Sequence, residues 1–108
     1  MDFGMAIVAL KRGECVTRKG WNGKGMFLTL QHGSTVEGKD MRNEGAKNYY
    51  AATHCNIAPH IDMVAADNRY ITGWLASQTD MLAEDWEVVK PTPLQEQVLT
   101  RVFNQSKS

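Results

Sequence analysis

The feature that most constrains the fold is a glycine-rich connector between two strand-like runs near the N-terminus. Residues Cys15 to Lys19 and Met26 to Gln31 have strand composition, and the six residues Gly20-Trp21-Asn22-Gly23-Lys24-Gly25 join them. An Asn-Gly pair inside such a connector is a strong hairpin signal, because both residues tolerate the backbone angles of a tight turn. The sequence therefore predicts an antiparallel hairpin over residues 15–31.

Strand character returns in the second half of the chain. Residues His60 to Ala66 and Arg69 to Trp74 alternate apolar and polar side chains around an Asp67-Asn68 turn, and Trp86 to Val89 form one more apolar run. These runs predict a second hairpin and a last strand.

Helical patterns stand at the two ends of the chain. Asp2 can cap a first helix that ends at Gly13, and Thr92-Pro93 can begin a tail helix over residues 92–104. The tail's apolar stripe is Leu94, Val98, Leu99, Val102 and Phe103. The predicted fold is therefore α+β: an N-terminal helix packed on a small antiparallel sheet of two hairpins plus a last strand, followed by a C-terminal tail helix.

The length of the chain, 108 residues, fits a single domain spanning residues 1–108. Within it, residues 34–58 are polar and show no periodicity, so we expect a long loop or an insertion there.

Charge and composition narrow the function. Twelve basic residues balance twelve acidic ones, so the chain lacks the positive field with which proteins bind duplex nucleic acid. No run approaches the ~20 apolar residues of a membrane span, and no targeting signal stands near the N-terminus. We therefore expect a cytoplasmic protein with no nucleic-acid or membrane partner, in which Cys15 and Cys55 are free thiols.

The first candidate binding segment is the connector itself together with Arg18. Its glycines allow backbone N–H groups to approach phosphate oxygens, Arg18 and Lys24 can neutralise them, and Trp21 can stack on a purine. These residue types are suited to a nucleotide. The alternative is a plain hairpin with Trp21 in the core, which the spacing alone favours.

The second candidate segment follows Trp74. It adds another indole and a run of hydrogen-bonding side chains, Ser77, Gln78, Thr79 and Asp80, which could bind a base edge and ribose hydroxyls. The alternative is that the Ser-x-x-Asp pattern simply begins a helix.

Other chemistries have weaker support. Ser77, His60 and Asp80 could supply a hydrolytic triad, but no Gly-x-Ser-x-Gly motif surrounds the serine. A zinc site built on His54, Cys55 and His60 would lack a fourth ligand at a recognisable spacing. The sequence thus predicts no catalytic residue, no metal and no cofactor.

Several long motifs resemble a family of small phage proteins, the second type of Thoeris anti-defence proteins. The motifs lie within residues 2–33 and 60–89 and include Thr17 to Met26 (TRKGWNGKGM), His60 to Met63 (HIDM) and Gly73 to Trp86 (GWLASQTDMLAEDW). The middle segment and the tail helix lie outside the resemblance.

The resemblance implies a non-enzymatic sponge, a homotetramer that sequesters immune signalling nucleotides in the cytoplasm of the infected bacterium without degrading them. In Thoeris defence the signals are cyclic ADP-ribose isomers made from NAD, and some relatives also hold cyclic dinucleotides in a separate site. The alternatives are a small nucleotide-processing hydrolase and a phage structural or interaction protein. On the matched motifs the expected ligand-binding residues are Arg18, Trp21, Asn22, Gly23, Lys24, Gly25, Trp74, Ser77, Gln78, Thr79 and Asp80.

Overall fold

The computed structural model describes residues 1–97, which form short helices and strands arranged in two sheets. The helices are α1 (Phe3–Lys11), α2 (Glu44–Tyr49) and α3 (Gln78–Leu82), and a 3-10 turn spans Gly38–Asp40. The strands are β1 (Cys15–Arg18), β2 (Phe27–Gln31), β3 (Ser34–Glu37), β4 (His54–Ile57), β5 (His60–Val64), β6 (Tyr70–Ile71) and β7 (Trp86–Val89).

The main sheet is antiparallel, with the strand order β6-β5-β2-β1-β7. Both predicted hairpins belong to it: β1 pairs with β2, and β5 pairs with β6. The two hairpins meet where β2 pairs with β5, and the predicted last strand, β7, adds to the edge of β1. The predicted α+β class is confirmed.

Helix α1 covers one face of this sheet. The side chain of Asp2 accepts a hydrogen bond from the backbone N–H of Met5 at 2.8 Å, so the predicted N-cap is confirmed. The helix buries Ala6, Ala9 and Leu10 against a core that the strands supply with Val16, Leu28, Met63 and Trp86. Burial of this apolar surface fixes α1 on the sheet.

Residues 34–58, called the insertion below, are folded and do not form an irregular loop. Strands β3 and β4 pair in a separate two-stranded sheet, from Ser34 opposite Ile57 to Glu37 opposite His54, and α2 lies between them. These strands show no alternating apolar pattern, because most of the side chains of β3 and half of those of β4 are exposed. A small sheet with so little buried surface has no apolar periodicity to detect.

The described chain ends in the first turn of the predicted tail helix. Residues 94–97 are helical, and the N–H of Gln97 donates to the carbonyl of Pro93 at 3.1 Å. The rest of the predicted helix over 92–104, with Val98, Leu99, Val102 and Phe103, lies outside the described residues. Up to residue 97, none of the helices is long and apolar enough to cross a membrane.

Candidate functional site

The two candidate segments converge on one group of aromatic rings. The ring centroid of Trp21 lies 6.3 Å from that of Trp74 and 5.4 Å from that of Trp86, and Trp74 and Trp86 are 6.2 Å apart, all edge to face. We call these three rings the tryptophan cluster. Trp86 is 2% exposed, whereas Trp21 and Trp74 are half-buried. Trp21 is therefore both part of the core and accessible, so the two interpretations of it do not exclude each other.

Sequence reasoning missed Trp86 as a member of this cluster. It was expected only as the start of the last strand, although it closes the same motif that contains Trp74. Its indole N–H donates to the backbone carbonyl of Asp80 at 2.9 Å. This bond attaches the start of β7 to the first turn of α3.

An ion-pair network lies beside the tryptophan cluster. Arg18, at the end of β1, donates from Nη1 to Asp80 Oδ1 at 2.7 Å and from Nε to Asp85 Oδ1 at 2.8 Å. The second oxygen of Asp85 accepts from the N–H of Gly20 at 2.7 Å. Arg18 and Asp80 are each 13% exposed and Asp85 is 31% exposed. Arg18 is thus engaged by two carboxylates of its own chain.

These bonds shift the pKa values of the network in the direction that keeps every member charged. The hydrogen bonds that Arg18 donates to Asp85 and then to Asp80 raise the pKa of Arg18. The hydrogen bond from Arg18 is the main reason why the pKa of Asp85 is lowered. Burial alone would raise the pKa of Asp80, but the hydrogen bonds from Arg18, Trp21 and Ser77 outweigh it and lower that pKa.

Asp80 and Ser77 form the N-cap of α3. Ser77 Oγ accepts from the N–H of Asp80 at 3.1 Å, and Asp80 Oδ2 accepts from the N–H of Ser77 at 3.2 Å, which completes a capping box. Oδ1 of Asp80 also accepts from the indole N–H of Trp21 at 3.1 Å. The predicted helix start is therefore confirmed, and it ties the second candidate segment to the first.

The remaining candidate residues line a neighbouring groove, are exposed, or pack closely within the connector. Lys24 and Gly25 line a groove of about 480 Å³, whose wall also includes Thr17, Phe27 and Asn68. Asn22, Gln78 and Thr79 are exposed. Gly23 packs so closely that a Cβ there would overlap Met26 and Ala66. The structure thus brings Arg18, Trp21, Trp74, Ser77 and Asp80 together and places the connector's tip beside a separate groove.

The residues of the weaker alternatives are not assembled into a site. Ser77 and Asp80 bond to each other in the cap, whereas His60 Nδ1 contacts the carbonyl of Ala58 at 2.9 Å. Within residues 1–97, the His, Cys, Asp and Glu side chains form no group of three that could hold a metal ion. Cys15 and Cys55 are free thiols.

Known proteins match the part of this chain that carries these motifs. The model of the Thoeris anti-defense 2-like domain family matches residues 1–89. The chain is also 42% identical over 89 residues to the protein named Thoeris anti-defense 2 from Bacillus phage SP01, which covers 82% of this chain and 94% of that relative. The match includes residues 34–58, so the expectation that this middle segment lies outside the resemblance was wrong; the match ends with β7, before the tail. The chain belongs to the Thoeris anti-defense 2-like family, whose named relative is a phage protein directed against Thoeris defence.

Proposed function

We propose that this protein binds immune signalling nucleotides and sequesters them without degrading them, in the infected bacterial cell. The ligands are cyclic ADP-ribose isomers, and cyclic dinucleotides are a second class to test. The observation that carries the proposal is the meeting of two tryptophan-bearing motifs, both inside the family match, at one half-exposed cluster.

The tryptophan cluster has the chemistry that a purine nucleotide requires. Base–aromatic stacking contributes about 1–3 kcal/mol per base, and Trp21 and Trp74 each retain exposed ring surface beside polar groups. The exposed side chains of Asn22, Gln78 and Thr79 flank these rings in sequence and supply hydrogen-bond donors and acceptors for ribose and base edges.

In this proposal the charged network serves the site indirectly. Arg18 bonds to Asp80 and Asp85, so its role is to hold α3 and the connector at a fixed separation. Lys24 is exposed at the neighbouring groove and is the cation that we assign to a phosphate. Because that contact would be solvated, it would contribute less than stacking and would weaken with salt.

Titration calorimetry with a cyclic ADP-ribose isomer tests the proposed site. Trp21→Ala and Trp74→Ala should each weaken binding by about ten- to a hundredfold, because each removes a stacking surface. Tyr49→Ala is the matched control, since Tyr49 is an aromatic residue that is 81% exposed on the insertion. A folded Trp21→Ala protein that binds the nucleotide at full strength would show that the site lies elsewhere.

Mass spectrometry of the released ligand distinguishes sequestration from hydrolysis. Heat release after incubation should return the cyclic nucleotide with its mass unchanged, because binding alone makes and breaks no bond. Recovery of a linearised or shortened product would place the protein among nucleotide-processing enzymes.

A further inference from the structure

Asp62 is a buried carboxylate that the sequence did not single out as a binding residue. It lies in β5, is 0% exposed, and is the only buried polar or charged residue between residues 1 and 97. Burying a carboxylate is costly unless its oxygens are bonded, and an apolar residue of similar size often stabilises a fold as well or better. The burial of Asp62 is therefore explained by what its two oxygens bind.

The two oxygens of Asp62 bond to different parts of the chain. Oδ2 accepts from the hydroxyl of Tyr70 at 2.6 Å, and Oδ1 accepts from the N–H of Gly73 at 2.8 Å. Gln31 Nε2 donates to the Tyr70 oxygen at 2.8 Å, and His60 Nε2 lies 3.5 Å from Oδ1. Burial and then the bond to Asp62 raise the pKa of Tyr70, so its hydroxyl remains a donor at neutral pH.

Gly73 directly precedes Trp74, and both backbone amides are bound to β5. The N–H of Trp74 donates to the carbonyl of Ile61 at 2.7 Å, next to the bond between Gly73 and Asp62. Gly73 has φ +78°, a conformation that glycine adopts at little cost. Two consecutive residues of β5 thus fix the point at which the chain leaves β6 and turns toward the tryptophan cluster.

We propose that Asp62 is a positioning residue for the nucleotide site, which acts by holding the Gly73–Trp74 backbone so that the Trp74 ring is pre-arranged beside Trp21. The inference rests on the proposed function. A ring held in its binding position loses less conformational freedom when the ligand arrives, and affinity rises accordingly.

Two substitutions of Asp62 distinguish positioning from a purely structural role. Asp62→Leu fills the same space without an acceptor for Gly73, so the affinity for a cyclic ADP-ribose isomer should fall about tenfold while the melting temperature changes by only a few degrees. Asp62→Asn should bind within about threefold of the unmodified protein, because its amide oxygen can still accept from Gly73 and its amide N–H₂ can face the Tyr70 oxygen. Asp67→Leu, at the exposed turn between β5 and β6, is the matched control.

Amide hydrogen exchange in the ligand-free protein provides a readout that does not depend on binding. In Asp62→Leu the amides of Gly73 and Trp74 should exchange at least tenfold faster than in the unmodified protein, with β1 and β2 unchanged. In Asp62→Asn they should remain protected. Unchanged protection at both amides in Asp62→Leu would overturn the proposal.

If the unmodified protein binds no nucleotide, the proposed function fails, while the exchange result still shows whether Asp62 holds the Gly73–Trp74 backbone.

If Asp62→Leu does not fold, Tyr70→Phe replaces it as the test variant, since Tyr70 is 48% exposed and removing its hydroxyl leaves the core intact. It removes the bond to Oδ2 that orients the carboxylate so that Oδ1 faces Gly73. Faster exchange at Gly73 with weaker nucleotide binding would support positioning. Exchange and affinity equal to those of the unmodified protein would contradict it.

Discussion

At the scale of single residues, Arg18 links the two motifs, and its ion pairs predict how the stability of the fold depends on pH. The pKa values of Asp80 and Asp85 are lower in the folded protein than the ordinary aspartate value of about 3.9. Their contribution to stability is therefore fully present above about pH 4 and is lost as pH falls through the folded-state pKa values. The free energy of unfolding should drop below about pH 4.

Arg18→Met should remove most of this acid-dependent loss, because it removes the cation that keeps both carboxylates ionised. The variant should melt roughly 5 °C lower at pH 7, and its melting temperature should fall less steeply below pH 4 than that of the unmodified protein. Thermal unfolding monitored by circular dichroism between pH 2 and 7 measures both effects. The pKa of Asp67 is lowered by Arg69 and not by Arg18. The contribution of Asp67 to the acid-dependent loss of stability should therefore remain in the variant. Parallel pH profiles would show that the network does not couple to folding.

Most of the candidate residues could be identified from the sequence, but their relations to one another could not. Residue type and glycine content pointed to Trp21 and Trp74, and the Ser-x-x-Asp pattern pointed to the cap of α3. The pairing of Arg18 with Asp80 spans 62 positions in the chain, and no local pattern encodes such a contact. For the same reason Asp62 could be taken only as a strand residue, since nothing nearby in sequence reveals that Gly73 bonds to it.

At the scale of elements, the predictions succeeded where a segment buries a face. Strands β1, β2, β5 and β7 each contribute at least one buried side chain, and most of their other side chains are half-buried, so their apolar composition located them to within a residue or two. The insertion buries little apolar surface. Its fold depends on close backbone contacts, which amino-acid composition does not reveal. Gly38 is the clearest of these contacts.

Gly38→Ala should therefore unfold the insertion and leave the main sheet intact. A Cβ at Gly38 would overlap the backbone of Tyr50, and the N–H of Gly38 donates to the carbonyl of Thr53 at 2.9 Å, so the site cannot widen without breaking the insertion's closure. Overpacking of this kind costs about 1–3 kcal/mol, which corresponds to faster amide exchange in β3 and β4 by roughly tenfold or more.

The matched control for this substitution is Gly45→Ala, in the same insertion. Gly45 is exposed in α2, and alanine favours the helical conformation there, so exchange in β3 and β4 should be unchanged or slower. Loss of protection throughout β1, β2 and β5 in Gly38→Ala would show that the insertion and the main sheet unfold together.

At the scale of the whole molecule, large apolar side chains around α3 are exposed in the part of the chain that the structure describes, residues 1–97. Leu75 is 90% exposed and Leu82 is 78% exposed, on either side of the capping box, and a further apolar strip on α1 includes Met5 and Val8. Fully burying a leucine side chain is worth about 1.5–3 kcal/mol. Such surface beside a proposed binding site is what a subunit contact would cover.

The homotetramer that the family resemblance implies stays a prediction, and a subunit contact would cover this exposed surface. Light scattering at micromolar concentration should give four times the protomer mass. The double variant Leu75→Glu, Leu82→Glu should have a lower mass, because its subunit contact would have to bury two uncompensated charges per protomer. The double variant should keep its secondary structure, since both leucines are exposed in the protomer. The double variant Met5→Glu, Val8→Glu tests the apolar strip on α1 in the same way. If only this second variant dissociates, the subunit contact lies on α1 and not around α3. A monomer mass for the unmodified protein would rule out the tetramer and leave the nucleotide site to be completed within one chain.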